Sequence, residues 1–202
     1  MSINFHIGIS YQENIPDDFI EELTNSISIP ELQVKVESRE IGTYATIEWA
    51  LPSLIIAYLS KPYFESFLKE AGKDHYQLLK KGLLFLFTRI FGKNPEKRDE
   101  KRSQLFSIMA QLDDGRSLKF VFPEGVSLED YEKSLELMYS LLSQHYENCP
   151  SDQITEMTTR LSTLSHSLYM EYKAAEESWV IIDPLVEAKK AREAQNEHNK
   201  AN

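Results

Sequence analysis

The sequence predicts an α+β fold, with an antiparallel or mixed sheet of four to six strands packed by five or six amphipathic helices. Two pairs of short alternating apolar segments flank turn residues, as the strands of hairpins do, and a further strand precedes them. Elsewhere apolar residues recur at three- and four-residue intervals, which is the period of one helix face. The predicted strands and helices do not alternate strictly along the 202 residues, which argues against a wholly parallel sheet.

The N-terminal part of the chain is predicted to form a strand, a helix and a hairpin. The strand covers residues 3–9, and the helix begins at Pro16, because a missing N–H costs nothing in the first helical turn. The apolar face of this helix consists of Phe19, Ile20, Leu23 and Ile27. Alternating residues then predict strands at 32–36 and 45–49, with Gly42 in the turn between them.

Residues 50–92 hold much of the apolar mass and predict helices packed into a core. The first helix is expected from helical spacing in its apolar residues, which are Leu51, Leu54, Ile55, Tyr58 and Leu59. Pro62 should kink or restart this helix, because proline cannot continue a helical hydrogen-bond ladder. Gly72 ends the next stripe, and Asp74 with Gln77 forms a candidate capping box for a helix that reaches Gly92.

The second half of the chain predicts another hairpin and more helices. Strands at 105–112 and 118–122 flank an Asp-Asp-Gly-Arg turn, and the first of them is apolar on both faces, which is typical of a central strand. Ser127 and Asp130 form a capping box for a helix that reaches Tyr146, and a further helix begins near Ser151.

The C-terminal region is less clearly defined by its pattern. Residues 168–172 are compatible with helix or strand, whereas 179–182 are β-branched and strand-like. Asp183 followed by proline is typical of a helix start. We therefore divide the chain into a single α+β domain at 1–183 and a helical tail at 184–202, which either frays or docks on this chain or on a partner.

Charge is unevenly distributed along this chain of net charge −10. Residues 1–40 carry eight acidic and two basic side chains, and residues 124–148 carry six acidic and one basic. Acidic surfaces repel phosphate backbones, so we expect no nucleic-acid partner. The longest nearly uncharged run, at 49–60, is 12 residues, well short of the ~20 that cross a bilayer, so no transmembrane segment is expected.

The sequence contains no motif with recognisable chemistry. Phosphate-binding glycine loops, nucleophile elbows and histidine pairs at metal-ligand spacing are absent, which predicts no catalytic residue, no metal and no cofactor. His145 and Cys149 are four residues apart, but the sequence supplies no third orienting group. Whether the protein is an enzyme stays uncertain, and the sequence favours the view that it is not. The single cysteine and the absence of a signal-peptide pattern lead us to expect a reducing, cytoplasmic location.

Three residues are candidates for lining a small-ligand pocket: Glu48, Asp74 and His75. Each also has a simpler interpretation. Asp74 is explained as a helix cap, and His75 would then point from the first helical turn into solvent. Glu48 lies next to Trp49 on a predicted strand, so alternation turns its carboxylate away from the indole and toward solvent.

Three functional hypotheses follow. The first is protein–protein binding of the immunity, chaperone or inhibitor type, through acidic faces toward a basic partner. Its candidate contact residues are Asp17, Asp18, Glu21, Glu22, Glu129, Glu132 and Glu136. The second is an enzyme or small-ligand binder with a pocket between the sheet and the helices of residues 51–91. The third is a membrane-surface or oligomerising effector that releases the helix at 82–91. The sequence leaves the partner, the substrate and the oligomeric state open.

Overall fold

The computed structural model describes residues 5–40, 53–67, 73–99, 101–147, 149, 152–159, 167–183, 186–187, 189–190 and 193. The strands are β1 Ile7–Gln12, β2 Val34–Arg39, β3 Ile55–Leu59, β4 Lys101–Gln111, β5 Ser117–Glu124, β6 Ser167–Lys173 and β7 Ser178–Ile182. The α-helices are α1 Asp17–Ile27, α2 Lys73–Phe91, α3 Leu128–Tyr146 and α4 Gln153–Thr159, and a π-helix covers Tyr63–Phe67. Short 3₁₀ turns occupy Pro95–Lys97 and Ala174–Glu176.

The described strands form one seven-stranded mixed sheet in the order β2-β1-β3-β4-β5-β6-β7. Parallel pairs (β1–β2, β3–β4 and β5–β6) alternate with antiparallel pairs (β1–β3, β4–β5 and β6–β7). Each parallel pair is connected through helical residues, because a parallel connection must cross from one end of the sheet to the other. The α+β class is confirmed, and the sheet has more strands than the four to six predicted.

The largest error in the predicted elements concerns β3. Residues 51–59 were expected to begin a helix, yet Ile55–Leu59 is a strand between β1 and β4. Ile55, Ala57 and Leu59 pack in the main core, and Ile56 is 3% exposed on the other side of the sheet. A strand that is buried on both sides is apolar at every position, so its sequence lacks the alternation that identifies strands.

The two predicted hairpins have different outcomes. The β4–β5 hairpin is confirmed, and Gly115 in its turn has φ +84°, a conformation that favours glycine. β2 instead pairs in parallel with β1, and the strand predicted at 45–49 lies outside the described residues. Residues 168–172, left open between helix and strand, lie in β6, and the strand predicted at 179–182 is confirmed as β7.

The main core lies between the helices and one face of the sheet, which we call the helix-covered face. Phe87 of α2 stacks on Tyr131 of α3 with ring centroids 4.3 Å apart, and it also contacts Phe106 and Phe122 of the sheet edge-on. On the other side of these strands is a second face, which carries the alternate residues. Ile56 and Val121 of this second face are buried but lie outside the main core cluster.

The helix expected to detach in the membrane-surface hypothesis contributes to this core. Leu86 and Phe87 of α2 are fully buried, and Leu83 and Phe91 are nearly so. The apolar face of α2 is therefore already covered by protein. Among the helices in the described part of the chain, none has the length and hydropathy needed to cross a membrane.

Candidate functional site

His75 lies in the first turn of α2 and is 2% exposed, so the expectation that it points into solvent is wrong. Its Nε2 donates to the carbonyl oxygen of Ile27 at 2.8 Å, and the Tyr63 hydroxyl lies 3.1 Å from its Nδ1. Burial lowers the pKa of His75, an effect that the hydrogen bond to Ile27 partly offsets. The imidazole thus connects α1, α2 and the π-helix, which is a structural role.

The other two pocket candidates are not brought together with His75 by any described contact. Glu48 and the side chain of Asp74 lie outside the described residues, although the backbone of Asp74 belongs to α2. The pocket hypothesis built on these three residues therefore has no support from the described geometry.

His145, in contrast, has the orienting group that sequence reasoning missed. Its Nδ1 is 2.7 Å from Asp152 Oδ2, across the end of α3.

Cys149 follows His145 by one helical turn, but no hydrogen bond joins the two side chains, so a thiolate–imidazole pair is not formed. Asp152 also accepts from the backbone N–H and the hydroxyl of Thr155, at the start of α4. The Asp152 carboxylate is thus explained as a helix cap that also fixes the imidazole.

The acidic residues of α1 are all exposed. Asp17, Asp18, Glu21 and Glu22 lie on the outer surface of this helix, while Ile20, Leu23 and Ile27 face the core. Asp17 accepts a hydrogen bond of 2.7 Å from the Tyr11 hydroxyl, and Glu22 lies 3.5 Å from Arg89. No cation of the described chain pairs with Asp18 or Glu21. The exposed side of helix α1 therefore retains most of its negative charge.

The acidic residues of α3 are largely neutralised within the chain. Lys80 is 8% exposed as a residue, and its ammonium donates to Glu132 and to Glu136 at 2.9 Å each. These bonds raise the pKa of Lys80 above its usual range, so the bridging charge persists at any physiological pH. Glu129 lies 3.3 Å from Lys133. The α3 carboxylates thus form ion pairs mainly with a lysine of α2 and with a lysine of α3 itself.

An apolar cleft of about 260 Å³ opens beside the start of α1. Its lining includes Ile15, Pro16, Phe19, Ile90 and Leu105, with Arg89 at its edge. The Arg89 guanidinium lies 5.6 Å from the centroid of the Phe19 ring and 5.7 Å from that of Phe85. We call this region, together with the exposed α1 carboxylates, the α1 surface. It lies at the far end of α2 from His75, about 20 Å along the helix axis.

A second cleft, of about 330 Å³, lies on the second face of the sheet, away from α2. The rings of Phe5 and Tyr58 and the side chain of Met109 form one side of this cleft, which we call its aromatic wall. A Cβ on Gly8 would lie 2.9 Å from the Phe5 ring, so glycine at this position lets the ring lie directly against the strand. Lys35 and Glu37, an ion pair of 2.7 Å, lie at the rim. Sequence analysis missed this cleft because its residues come from five separate segments.

Comparisons with known proteins give no relative for this chain. No protein-family model matches it, and no curated protein or solved structure is significantly similar to it. Within the described ranges, no group of three or more histidine, cysteine or carboxylate side chains is placed to hold a metal ion. The interpretation of function therefore depends on surface geometry and charge.

Proposed function

We propose that this protein acts by binding a basic protein partner through the α1 surface. The observation that carries the proposal is the position of the exposed α1 carboxylates beside an apolar cleft. Protein interfaces combine an apolar centre, where a few side chains of the partner are anchored, with a polar rim that sets specificity. The α1 surface has both parts, and it is complementary to an apolar side chain flanked by lysine or arginine.

The α1 surface is a better candidate than the acidic α3 surface. Both regions were expected to contact a partner, but Glu132 and Glu136 already accept hydrogen bonds from Lys80. A basic partner would have to compete with this intramolecular ammonium on α3. On α1 the carboxylates of Asp18 and Glu21 have no such competitor among the described residues, and unpaired surface charge accelerates association with an oppositely charged partner.

A protein partner fits this surface better than the other classes considered. Exposed carboxylates repel nucleic-acid phosphates, so binding to nucleic acid is disfavoured here. The small-ligand alternative requires a pocket lined by Glu48, Asp74 and His75. His75 is instead buried in the core. The membrane-surface alternative requires the apolar face of α2, which is buried. A cytoplasmic location remains part of the proposal and is supported by the sequence alone.

The proposal is tested by charge reversal with a matched control. We would capture binding proteins from the native lysate with the wild-type chain, with the Asp18→Lys/Glu21→Lys variant, and with a Glu129→Lys/Glu147→Lys variant. All four residues are exposed, and both variants change the net charge equally. We expect one basic protein to be retained by the wild type and the α3 variant, and to be lost with the α1 variant.

Kinetics with the purified partner then separate the two parts of the α1 surface. Charge reversal on α1 should lower the association rate about tenfold at low salt, with a smaller effect as salt screens the charges. Phe19→Ala should mainly raise the dissociation rate, because it removes a wall of the apolar cleft. Equal retention by all three chains, or an unchanged association rate, would show that α1 is not the binding surface.

A further inference from the structure

The middle of the second face of the sheet is buried, although the helices described so far pack on the opposite face. The four α-helices and the π-helix all place buried side chains in the main core cluster. On the second face, Val121 and Ser107 are each 0% exposed and Ile56 is 3% exposed. The register puts these three residues side by side on β5, β4 and β3. Side chains that stand out from a sheet are normally buried to this extent by a segment packed over them, as in sheets covered on both faces.

A helix near the C-terminus contacts this face through an ion pair. The described residues between 186 and 193 are helical, and we call this stretch the C-terminal helix. The backbone N–H of Glu187 donates to the carbonyl of Asp183 at 3.0 Å, as in a first helical turn. The carboxylate of Glu187 accepts from Arg102 Nη2 at 2.9 Å, and the same nitrogen donates to Glu171 at 2.9 Å. The C-terminal helix is thus joined to the side chains of two strands.

This ion pair places the C-terminal helix over β5. Because β5 lies between β4 and β6, the Arg102 side chain reaches across it to contact Glu171. Val121 of β5 is the residue opposite Glu171 in the register. Glu187 is bound to the same guanidinium nitrogen, so it is held above the buried part of β5. Hydrogen bonds from Lys190 and Arg102 lower the pKa of Glu187, which keeps its carboxylate ionised at neutral pH.

The exposure of the C-terminal helix indicates which of its sides faces the sheet. Its exposed residues recur at three- and four-residue intervals, the period of one helix side, and they are Val186, Lys189, Lys190 and Glu193. In a continuous helix, positions 188 and 191 belong to the opposite side, and the sequence has alanine at both. Alanine adds only a methyl group and no charge, so this side of the helix can approach the strands closely.

We propose that the C-terminal helix of this chain covers the second face of the sheet, with its alanine side against β5 and Glu187 anchored on Arg102. The occupant is this chain rather than a partner, because the Glu187–Arg102 bond is intramolecular. Release of the helix would expose an apolar strip of the sheet, and exposed apolar strips are binding or aggregation sites. The helix is therefore a cover that determines whether the second face is available, independently of the α1 surface.

The test measures how fast a thiol on the second face reacts with a maleimide under native conditions. Val121→Cys is the reporter in a full-length Cys149→Ser chain, in which no other cysteine competes. Ala110→Cys in the same chain is the matched control, because Ala110 is 3% exposed but belongs to the main core under the other face. Both thiols should react slowly while the C-terminal helix is in place.

Substitutions on opposite sides of the C-terminal helix then separate its release from other effects. Ala191→Glu places a carboxylate against the sheet, so it should accelerate labelling of Val121→Cys about tenfold or more. Val186→Glu changes the net charge equally at a position that is 48% exposed, and should leave the rate within about twofold. Glu187→Gln loses its charged bond to β4, which should accelerate labelling about threefold. The Ala110→Cys rate should be unchanged by all three substitutions.

Protein concentration distinguishes the chain's own helix from that of a second copy. Labelling of Val121→Cys should be equally slow over about a hundredfold range of concentration, because an intramolecular contact is not weakened by dilution. Protection that increases with concentration would show that another copy covers the face, and would overturn the proposal. An unchanged rate with Ala191→Glu would also overturn it, as would equal acceleration of Ala110→Cys, which indicates opening of the whole fold. Ser107→Cys, on the neighbouring strand and equally buried, is the reporter if Val121→Cys does not fold.

Discussion

The imidazole Nε2 of His75 donates to the carbonyl oxygen of Ile27 at 2.8 Å, and this bond joins the start of α2 to the last residue of α1. A helix leaves its final carbonyls without intrahelical donors, so a buried C-terminus needs partners from elsewhere. His75 provides one of them, and the Tyr63 hydroxyl lies 3.1 Å from its other ring nitrogen. The contact makes the packing of α1 on α2 sensitive to the protonation of one histidine.

We predict that acid weakens the fold through His75. Burial lowers the pKa of this imidazole below its unfolded value of about 6.5, so the unfolded chain binds the proton more readily. The stabilisation is therefore complete above pH 6.5 and is lost as the pH falls below it. In urea unfolding from pH 8 to 5, the stability difference between wild type and His75→Gln should shrink below pH 6.5. A difference that is constant across this range would contradict the assignment.

Gly82 should be intolerant of alanine despite lying inside a helix. Alanine normally stabilises an exposed helical position by about 1 kcal/mol relative to glycine. Here a Cβ would overlap Ile27 Cγ2 of α1 and lie 3.0 Å from Ser26 Oγ, and Ile27 is only 2% exposed. We expect Gly82→Ala to destabilise by about 1–3 kcal/mol in urea unfolding, because the helices must separate. Lys81→Ala, at an exposed neighbouring position, should change little.

Removing the cap of α3 should cost about 1 kcal/mol. Ser127 Oγ accepts from the backbone N–H of Asp130 at 3.1 Å, and the Asp130 carboxylate accepts from the backbone N–H of Ser127 at 3.2 Å. Ser127→Ala breaks half of this reciprocal pair, so its unfolding midpoint in urea should fall. Ser140→Ala, an exposed position of the same helix, serves as the control and should be within 0.5 kcal/mol of wild type. Equal stability of both variants would refute the capping role.

Lys119 should be replaceable by methionine with a gain in stability. Burial, with a smaller contribution from the charge of Arg39, lowers the pKa of Lys119 from 10.5 to about 8. Between these values the unfolded chain holds the proton more tightly, so the wild type gains stability as the pH rises from 8 to 10.5. We expect Lys119→Met to be more stable by about 1 kcal/mol or more at pH 7. This advantage should diminish toward pH 10, and a constant advantage would contradict the assignment.

Whether a helix or strand could be predicted from the sequence depended on whether one of its sides is exposed to solvent. The helix after Pro16 and the capping box at Ser127 were identifiable because one side of each helix is exposed and its pattern is amphipathic. The turn at Gly115 was identifiable from local chemistry alone. β3 was mistaken for a helix because both sides are buried, and nothing in a uniformly apolar run distinguishes the two.

The candidate sites were less predictable than the fold. The acidic positions of α1 were identified from composition, and their exposure followed from helical periodicity. The neutralisation of Glu132 and Glu136 depends on Lys80, which is more than fifty residues away in the chain. The second-face cleft assembles residues from β1 to β5, so no local pattern marks it. Such juxtapositions follow from strand order, which hydrophobic pattern does not determine.

The strand order described above also constrains how the sheet can be assembled during synthesis. In β2-β1-β3-β4-β5-β6-β7, β2 joins one side of β1, β3 joins the other, and every later strand extends the growing edge. No described strand has to insert between two neighbours that are already paired. The chain can therefore build its sheet progressively as it leaves the ribosome, because each strand after β2 is added at one advancing edge while β2 stays the opposite edge.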